Sequence, residues 1–188
     1  MRRAAPLVLA GLLTACVVTG PGSATDTAQP APEGYEVVAL GASNTEGHGQ
    51  GRHSGGVSRD EAYPAQREHL LAAEGCHVRV LNAGQAGATT GLMLATLPTA
   101  LSARTKVVIL QPGTNDEGGG AAEATDADVE AIRRAVEAQG SRLILLDHLG
   151  KIAGPNRTSD GQHFTAQGYA RIAQYLAPQV RAAGVCGA

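Results

Sequence analysis

Hydrophobic and polar positions along this chain follow two alternating patterns. Runs that are apolar on both faces stand at Glu36–Leu40, His77–Leu81, Lys106–Gln111 and Arg142–Asp147, as expected of parallel strands covered on each side by helices. Helical patterns lie between them. Pro64 suits a first helical position, and a helix is expected from there to about Gly75. A second follows Thr90, with Leu92, Met93 and Leu97 apolar and an interruption expected near Pro98. Thr125 and Asp128 resemble a capping box that opens a helix to Gln139, ended by Gly140. The last helix carries the clearest stripe: Thr165 caps it, and Tyr169, Ile172, Ala173, Leu176 and Val180 recur at helical spacing. Strand and helix thus alternate, which predicts an α/β fold: a three-layer α/β/α sandwich around a small, flavodoxin-like parallel sheet of about four core strands. Ligands of such open sheets bind outside the carboxyl ends of the strands.

The first residues read differently. Arg2 and Arg3 precede the apolar run Leu7–Leu13, too short to span a bilayer as a stable anchor. The run ends in Leu13-Thr14-Ala15-Cys16, which resembles the lipobox of bacterial lipoproteins. That resemblance implies a signal peptide over 1–15, lipidation of Cys16, and export to a membrane facing the periplasm or cell exterior. The alternative is an ordinary signal peptide that contains a cysteine. Residues 16–34, rich in Pro, Gly, Ser, Thr and Ala, are expected to form a flexible tether, leaving 35–188 as one folded domain.

Composition narrows the function. The 188 residues carry 15 basic and 17 acidic side chains, so nothing marks a nucleic-acid surface. With no Trp and one Phe, stacking platforms for bases or sugars are disfavoured. Of three cysteines, Cys76 and Cys186 remain once Cys16 is set aside. In an exported chain the two either pair or stay as separate thiols. Cys76 stands near the start of the second strand and Cys186 beyond the last helix, which brings both to one end of the domain and makes a disulfide plausible.

Four strand ends carry candidate chemistry. Gly41-Ala42-Ser43-Asn44 follows the first strand and Asn82–Thr89, with its glycines, follows the second. Gly113-Thr114-Asn115-Asp116 follows the third, and Asp160-Gly161-Gln162-His163 stands after the fourth, before the final helix. The sheet brings all four to one edge, and together they supply the parts of acyl transfer. Ser43 is the candidate nucleophile, His163 its base, and Asp160 the group that orients the imidazole. The backbone N–H groups of Ser43 and Gly87 and the side-chain amide of Asn115 are candidate oxyanion donors. Taken singly, each residue has a plainer reading: Ser43 as a helix cap, Asn115 as a turn former, Asp160 as an Asx-turn residue.

The four blocks, in this order, resemble the SGNH, or GDSL, hydrolase family over about residues 35–182. The resemblance implies an esterase with Ser43, Asp160 and His163 as triad, an oxyanion hole from Ser43, Gly87 and Asn115, and neither metal nor cofactor. It implies a small-molecule or envelope ester, or a thioester, as substrate. Two alternatives share the scaffold: a non-catalytic binding lipoprotein and a polysaccharide O-deacetylase. The first block departs from the family's usual Gly-Asp-Ser-Leu at Ala42 and Asn44, where altered loop packing is expected. The short stretch between Asn115 and Asp160 lacks the extra strand and helix of many members. His48 and His53 lie in a glycine-rich segment with no carboxylate or cysteine at metal-ligand spacing. Gly84–Thr90 lacks the Lys-Ser/Thr pair of a phosphate loop. His148, near a strand end, is a candidate cleft residue. The rim loops 46–62, 117–125 and 148–158 are polar and glycine-rich, and promise access for short acyl groups rather than a deep tunnel.

Overall fold

A computed structural model describes residues 34–47, 56–116 and 121–186, the side chains of 121–124 excepted. The chain divides into two units, Met1–Ala31 and Pro32–Ala188, and the second holds every described residue. Cys16, the expected signal peptide and most of the expected tether, together with His48 and His53, lie outside the described residues.

Four strands, β1 (Glu36–Gly41), β2 (Arg79–Gly84), β3 (Thr105–Gln111) and β4 (Arg142–Leu145), form one sheet in the order β2-β1-β3-β4. Every pairing is parallel. The alternation of side chains along each strand assigns the two cores. Val37, Ala39, Val107 and Ile109 face a layer holding Tyr63 and Leu71 of α2 (Tyr63–Ala73) and Tyr169, Ile172, Leu176 and Val180 of α6 (Ala166–Arg181). Their neighbours Val38, Leu40, Val108 and Leu110 face Met93 and Leu97 of α3 (Thr90–Ala100) and Ile132 and Val136 of α4 (Ala121–Ala138). The α/β/α sandwich is therefore the observed fold. Every stripe residue of α6 is buried, each stabilising by about 1.5–3 kcal/mol when a large aliphatic or aromatic side chain leaves water. The Thr165 side chain accepts from the Gly168 N–H and caps the helix.

Several boundaries differ from the sequence expectation. β2 starts two residues later and runs on through Asn82, Ala83 and Gly84, because its partner β1 continues to Gly41 and pairs Gly41 with Gly84. α3 does not break at Pro98 but ends at Ala100. Pro98 forfeits one N–H···O bond of the ladder, but it lies so near the end of the helix that only Thr99 and Ala100 follow it. α4 opens at Ala121 rather than at Thr125, since Ala121-Ala122-Glu123-Ala124 is a strong helix-forming run. Two short elements were not expected in the rim loops: a 3-10 turn at Arg59–Glu61, and a helix, α5 (Leu149–Ala153), between β4 and the Asp160 segment. Cys76 and Cys186 are joined by a disulfide with a Cα–Cα distance of 5.0 Å. It fastens the end of α6 beside the start of β2, at the edge of the sheet opposite the strands' carboxyl ends.

Candidate active site

Ser43 is the first residue of α1 (Ser43–Glu46), a single turn that follows β1 directly. The strand gives way at Gly41, where a Cβ would collide with the Thr45 side chain, so α1 can fold back tightly against the strand end. Ala42 occupies the cap position and offers no side-chain cap. The helix-cap reading of Ser43 is thereby corrected: its hydroxyl is left for other work.

That hydroxyl meets the imidazole of His163, with Ser43 Oγ 2.9 Å from Nε2. On the other side of the ring, Nδ1 lies 2.6 Å from Asp160 Oδ2. With the Nδ1–H donated to the carboxylate, Nε2 is the acceptor for the serine hydroxyl. His163 is 6% exposed and Ser43 half-buried, so the pair is sheltered but reachable. Asp160 satisfies both readings open to it in the sequence. Its Oδ1 accepts the backbone N–H groups of Gln162 and His163, making the turn, while Oδ2 takes the imidazole. Burial by itself would raise this carboxyl, but the hydrogen bonds from the His163 backbone and ring, the Thr158 hydroxyl and the Gln162 N–H outweigh it. They hold Asp160 far below the usual carboxylate range.

The segment that carries the pair is braced from several sides. Thr158 N–H donates to the His163 carbonyl, and the Arg157 guanidinium donates to the Gly161 carbonyl while lying 4.9 Å above the Phe164 ring. Arg157 reaches there because Gly150 of α5 has no side chain to block it.

The glycine-rich loop after β2 packs directly on α1. A Cβ on Gly84 would overlap the Glu46 backbone, the Gln85 N–H donates to the Gly41 carbonyl, and the Ala86 N–H donates to Glu46 Oε2. Arg59 ties the same region together, donating to the Asn82 and Gly84 carbonyls and pairing with Glu46 at 3.5 Å. Gly87 adopts φ +77, and a Cβ there would meet nothing within 4 Å, so its glycine answers a backbone need rather than a close approach. Asn115 is exposed after β3, and its Nδ2 donates to the Ala88 carbonyl at 2.9 Å, next to Gly87. One N–H of that amide is thereby engaged and a second remains. Asp116 accepts from both the backbone N–H and the hydroxyl of Thr90, whose hydroxyl in turn accepts from the Gly113 N–H. The β2 and β3 loops are thus stitched to one another.

All five predicted triad and oxyanion positions stand at the carboxyl ends of the strands. His148 heads α5 in the left-handed region, φ 51, with its ring nitrogen 3.8 Å from Asp147. The residues missed by sequence reasoning are the braces: Asn44, Tyr169, Glu46, Arg59, Thr90 and Arg157. Only Asn44 left a trace, as an unusual residue in the first block. Among the described residues no cluster of three or more His, Cys, Asp or Glu could hold a metal ion, and no helix is long and apolar enough to cross a membrane.

Comparison with known proteins bears on the family and the fold. Residues 39–185 match the model of the GDSL-like lipase/acylhydrolase family. No curated protein sequence matches the chain. Among solved structures, TesA superposes with a TM-score of 0.68 at 20% identity, covering 79% of this chain and 99% of its own. The psychrotrophic esterase EstA from Pseudoalteromonas sp., in a structure inhibited by monoethylphosphonate, gives 0.63 at 16% identity over 78% and 98%. AlinE4, an SGNH-hydrolase family esterase, gives 0.51 at 26% identity over 79% and 74%. A match that runs from the middle of β1 to beyond α6 takes in all four strand-end blocks, and the chain belongs to the GDSL-like lipase/acylhydrolase family, as an esterase of the SGNH type.

Proposed function

We propose that this chain is a membrane-tethered, extracytoplasmic serine hydrolase that cleaves carboxylic esters, and thioesters by the same route, through an acyl-enzyme on Ser43. The observation that carries the proposal is the unbroken hydrogen-bond chain from Asp160 through His163 to Ser43. Ser43 Oγ attacks the carbonyl carbon as its proton passes to His163 Nε2, and Asp160 stabilises the imidazolium without taking its proton. The carbonyl oxygen, now an oxyanion, accepts from the N–H groups of Ser43 and Gly87 and from the second N–H of the Asn115 amide. A donor of this kind is typically worth about 3 kcal/mol of barrier. Collapse of the tetrahedral species breaks the bond to the alcohol or thiol, which leaves with the proton from His163. Water then attacks the acyl carbon, gives its proton to His163, and the acid departs with Ser43 restored.

The rim of the site supports short, accessible acyl groups, because the four block loops close tightly on one another with small residues at 83, 84, 86, 87 and 88. Export is supported by the lipobox-like Leu13–Cys16 and by a disulfide, which persists in oxidising compartments. Replacing Cys16 with Ala should move the protein from the membrane to the soluble fraction. Continued partition into detergent would refute the anchor. Ser43→Ala should abolish turnover of a small aryl acetate while the circular-dichroism melt stays as in the parent. A variant that keeps the parental rate would overturn the catalytic reading.

A further inference from the structure

The fourth residue of the first block is one of the two positions where this chain departs from the family's usual block, and its side chain makes two long-range contacts. Asn44 follows the nucleophile immediately and is 4% exposed. Its Oδ1 accepts from the hydroxyl of Tyr169 at 3.0 Å, and its Nδ2 donates to the Gln162 carbonyl at 3.5 Å. Gln162 directly precedes His163, and Tyr169 lies in the first turn of the helix that follows it. One amide therefore grips the base-bearing segment on both sides of the imidazole. It bridges positions separated by 118 and 125 residues, so no local turn could supply the same constraint. An aliphatic side chain here could fill the space but would make neither bond.

The opposite flank of α1 is held in a similar way, since the Thr45 hydroxyl lies 3.2 Å from the Tyr63 hydroxyl in α2. Tyr169 is also fully buried, and burial pushes its phenol up to about 12, so it remains a neutral donor across the range in which an esterase would work.

We infer that Asn44, with Tyr169, is a positioning pair that sets the Ser43–His163 distance, acting on the reaction only through those two residues. The inference rests on the acyl-enzyme reading of Ser43. Its physical basis is that proton transfer needs heavy atoms within hydrogen-bond reach, and a displacement of about 1 Å can cost about 100-fold in rate.

The test compares the parent, Ser43→Ala, Asn44→Ala and Tyr169→Phe in the full chain, with Tyr175→Phe, an exposed position on the same helix, as control. Labelling by a fluorophosphonate comes first. If the parent is not labelled, or Ser43→Ala is labelled equally, the acyl-enzyme reading itself fails. If the parent alone of that pair is labelled, kcat and KM for an aryl acetate are measured well below each melting temperature. Asn44→Ala and Tyr169→Phe should each lose about 10- to 100-fold in kcat with KM within about twofold. The double variant should be no slower than the slower single one, and Tyr175→Phe should match the parent. A kcat within twofold of the parent in folded Asn44→Ala would overturn the inference. If that variant does not fold, parental kcat in Tyr169→Phe, which loses one hydroxyl, would overturn it as well.

Discussion

Asp160 spends its two oxygens on different tasks, and this division has a measurable pH consequence. Oδ1 builds the turn and Oδ2 orients the imidazole, and hydrogen bonding outweighs burial to hold the carboxyl far below its ordinary value. For a depressed carboxylate, the extra stability of the fold is fully present above the unfolded value, about 3.9, and is lost only as pH falls below it. Asp160 thus stays charged throughout the mildly acidic range and adds no proton uptake of its own to any loss of turnover there. The kcat/KM profile should fall with a slope of one proton on its acid limb above pH ~4; a slope of two would contradict this. Asp160→Asn should cost about 10,000-fold in kcat, as in other serine triads where the amide selects the wrong tautomer. Ser43 was legible in the sequence because it stands at the end of an apolar run, and Asp160 and His163 because they are close enough in sequence to share a turn just before the striped last helix. Asn44, Tyr169, Glu46 and Arg59 were not, since their meaning lies in partners that only the folded chain brings near.

At the scale of the elements, the least comfortable contact lies between α2 and α6. Arg67 is fully buried, donates one N–H to the Ala173 carbonyl, and leaves Nε and Nη2 without a hydrogen-bond partner. Burial lowers its affinity for the proton, and the Glu74 carboxylate, 3.7 Å from Nη2, partly offsets that. Glu74 also receives Arg181 at 2.8 Å, so a single carboxylate answers two cations. Removing it by Glu74→Gln should destabilise the protein by about 1–2 kcal/mol, less than for a fully buried pair because Glu74 itself is partly exposed. Arg67→Met, which removes the buried charge and keeps the bulk, should be neutral or stabilising. Urea unfolding of both variants checks the pair, and a destabilised Arg67→Met with an unaffected Glu74→Gln would reverse this assignment of strain. Elements were read well where one signal dominated, as in α6 with its cap and stripe. They were misjudged where two signals competed: the Thr125 box against the alanine-rich run before it, and Pro98 against the turn already formed around it.

The whole molecule keeps its chemistry and its covalent fastening at opposite edges of one sheet. The triad stands beyond the carboxyl ends of the strands, while the Cys76–Cys186 bridge closes a separation of 110 residues near the other edge. Constraining a loop of this size in the unfolded chain is worth about 5 kcal/mol in the chain-entropy account. The Cys76→Ala/Cys186→Ala double variant should therefore lose up to that amount in urea unfolding while kcat stays within about twofold of the parent. A large loss of kcat in the folded variant would mean that the two edges are coupled. Among the described residues the sheet has four strands and stops at β4. The shortness of the chain between Asn115 and Asp160 made that visible in advance, whereas α5, only five residues long, was too short to leave a periodic signal.

The central claim is that the Ser43 hydroxyl becomes a nucleophile because the His163 imidazole lies beside it. The most direct measurement is mass spectrometry of the protein after treatment with a fluorophosphonate, with the modified peptide sequenced. The expected result is one phosphonyl group, on Ser43, absent from His163→Ala and slowed at pH values where the imidazole is protonated. Modification at another residue, or equal labelling of Ser43 without the imidazole, would contradict the account.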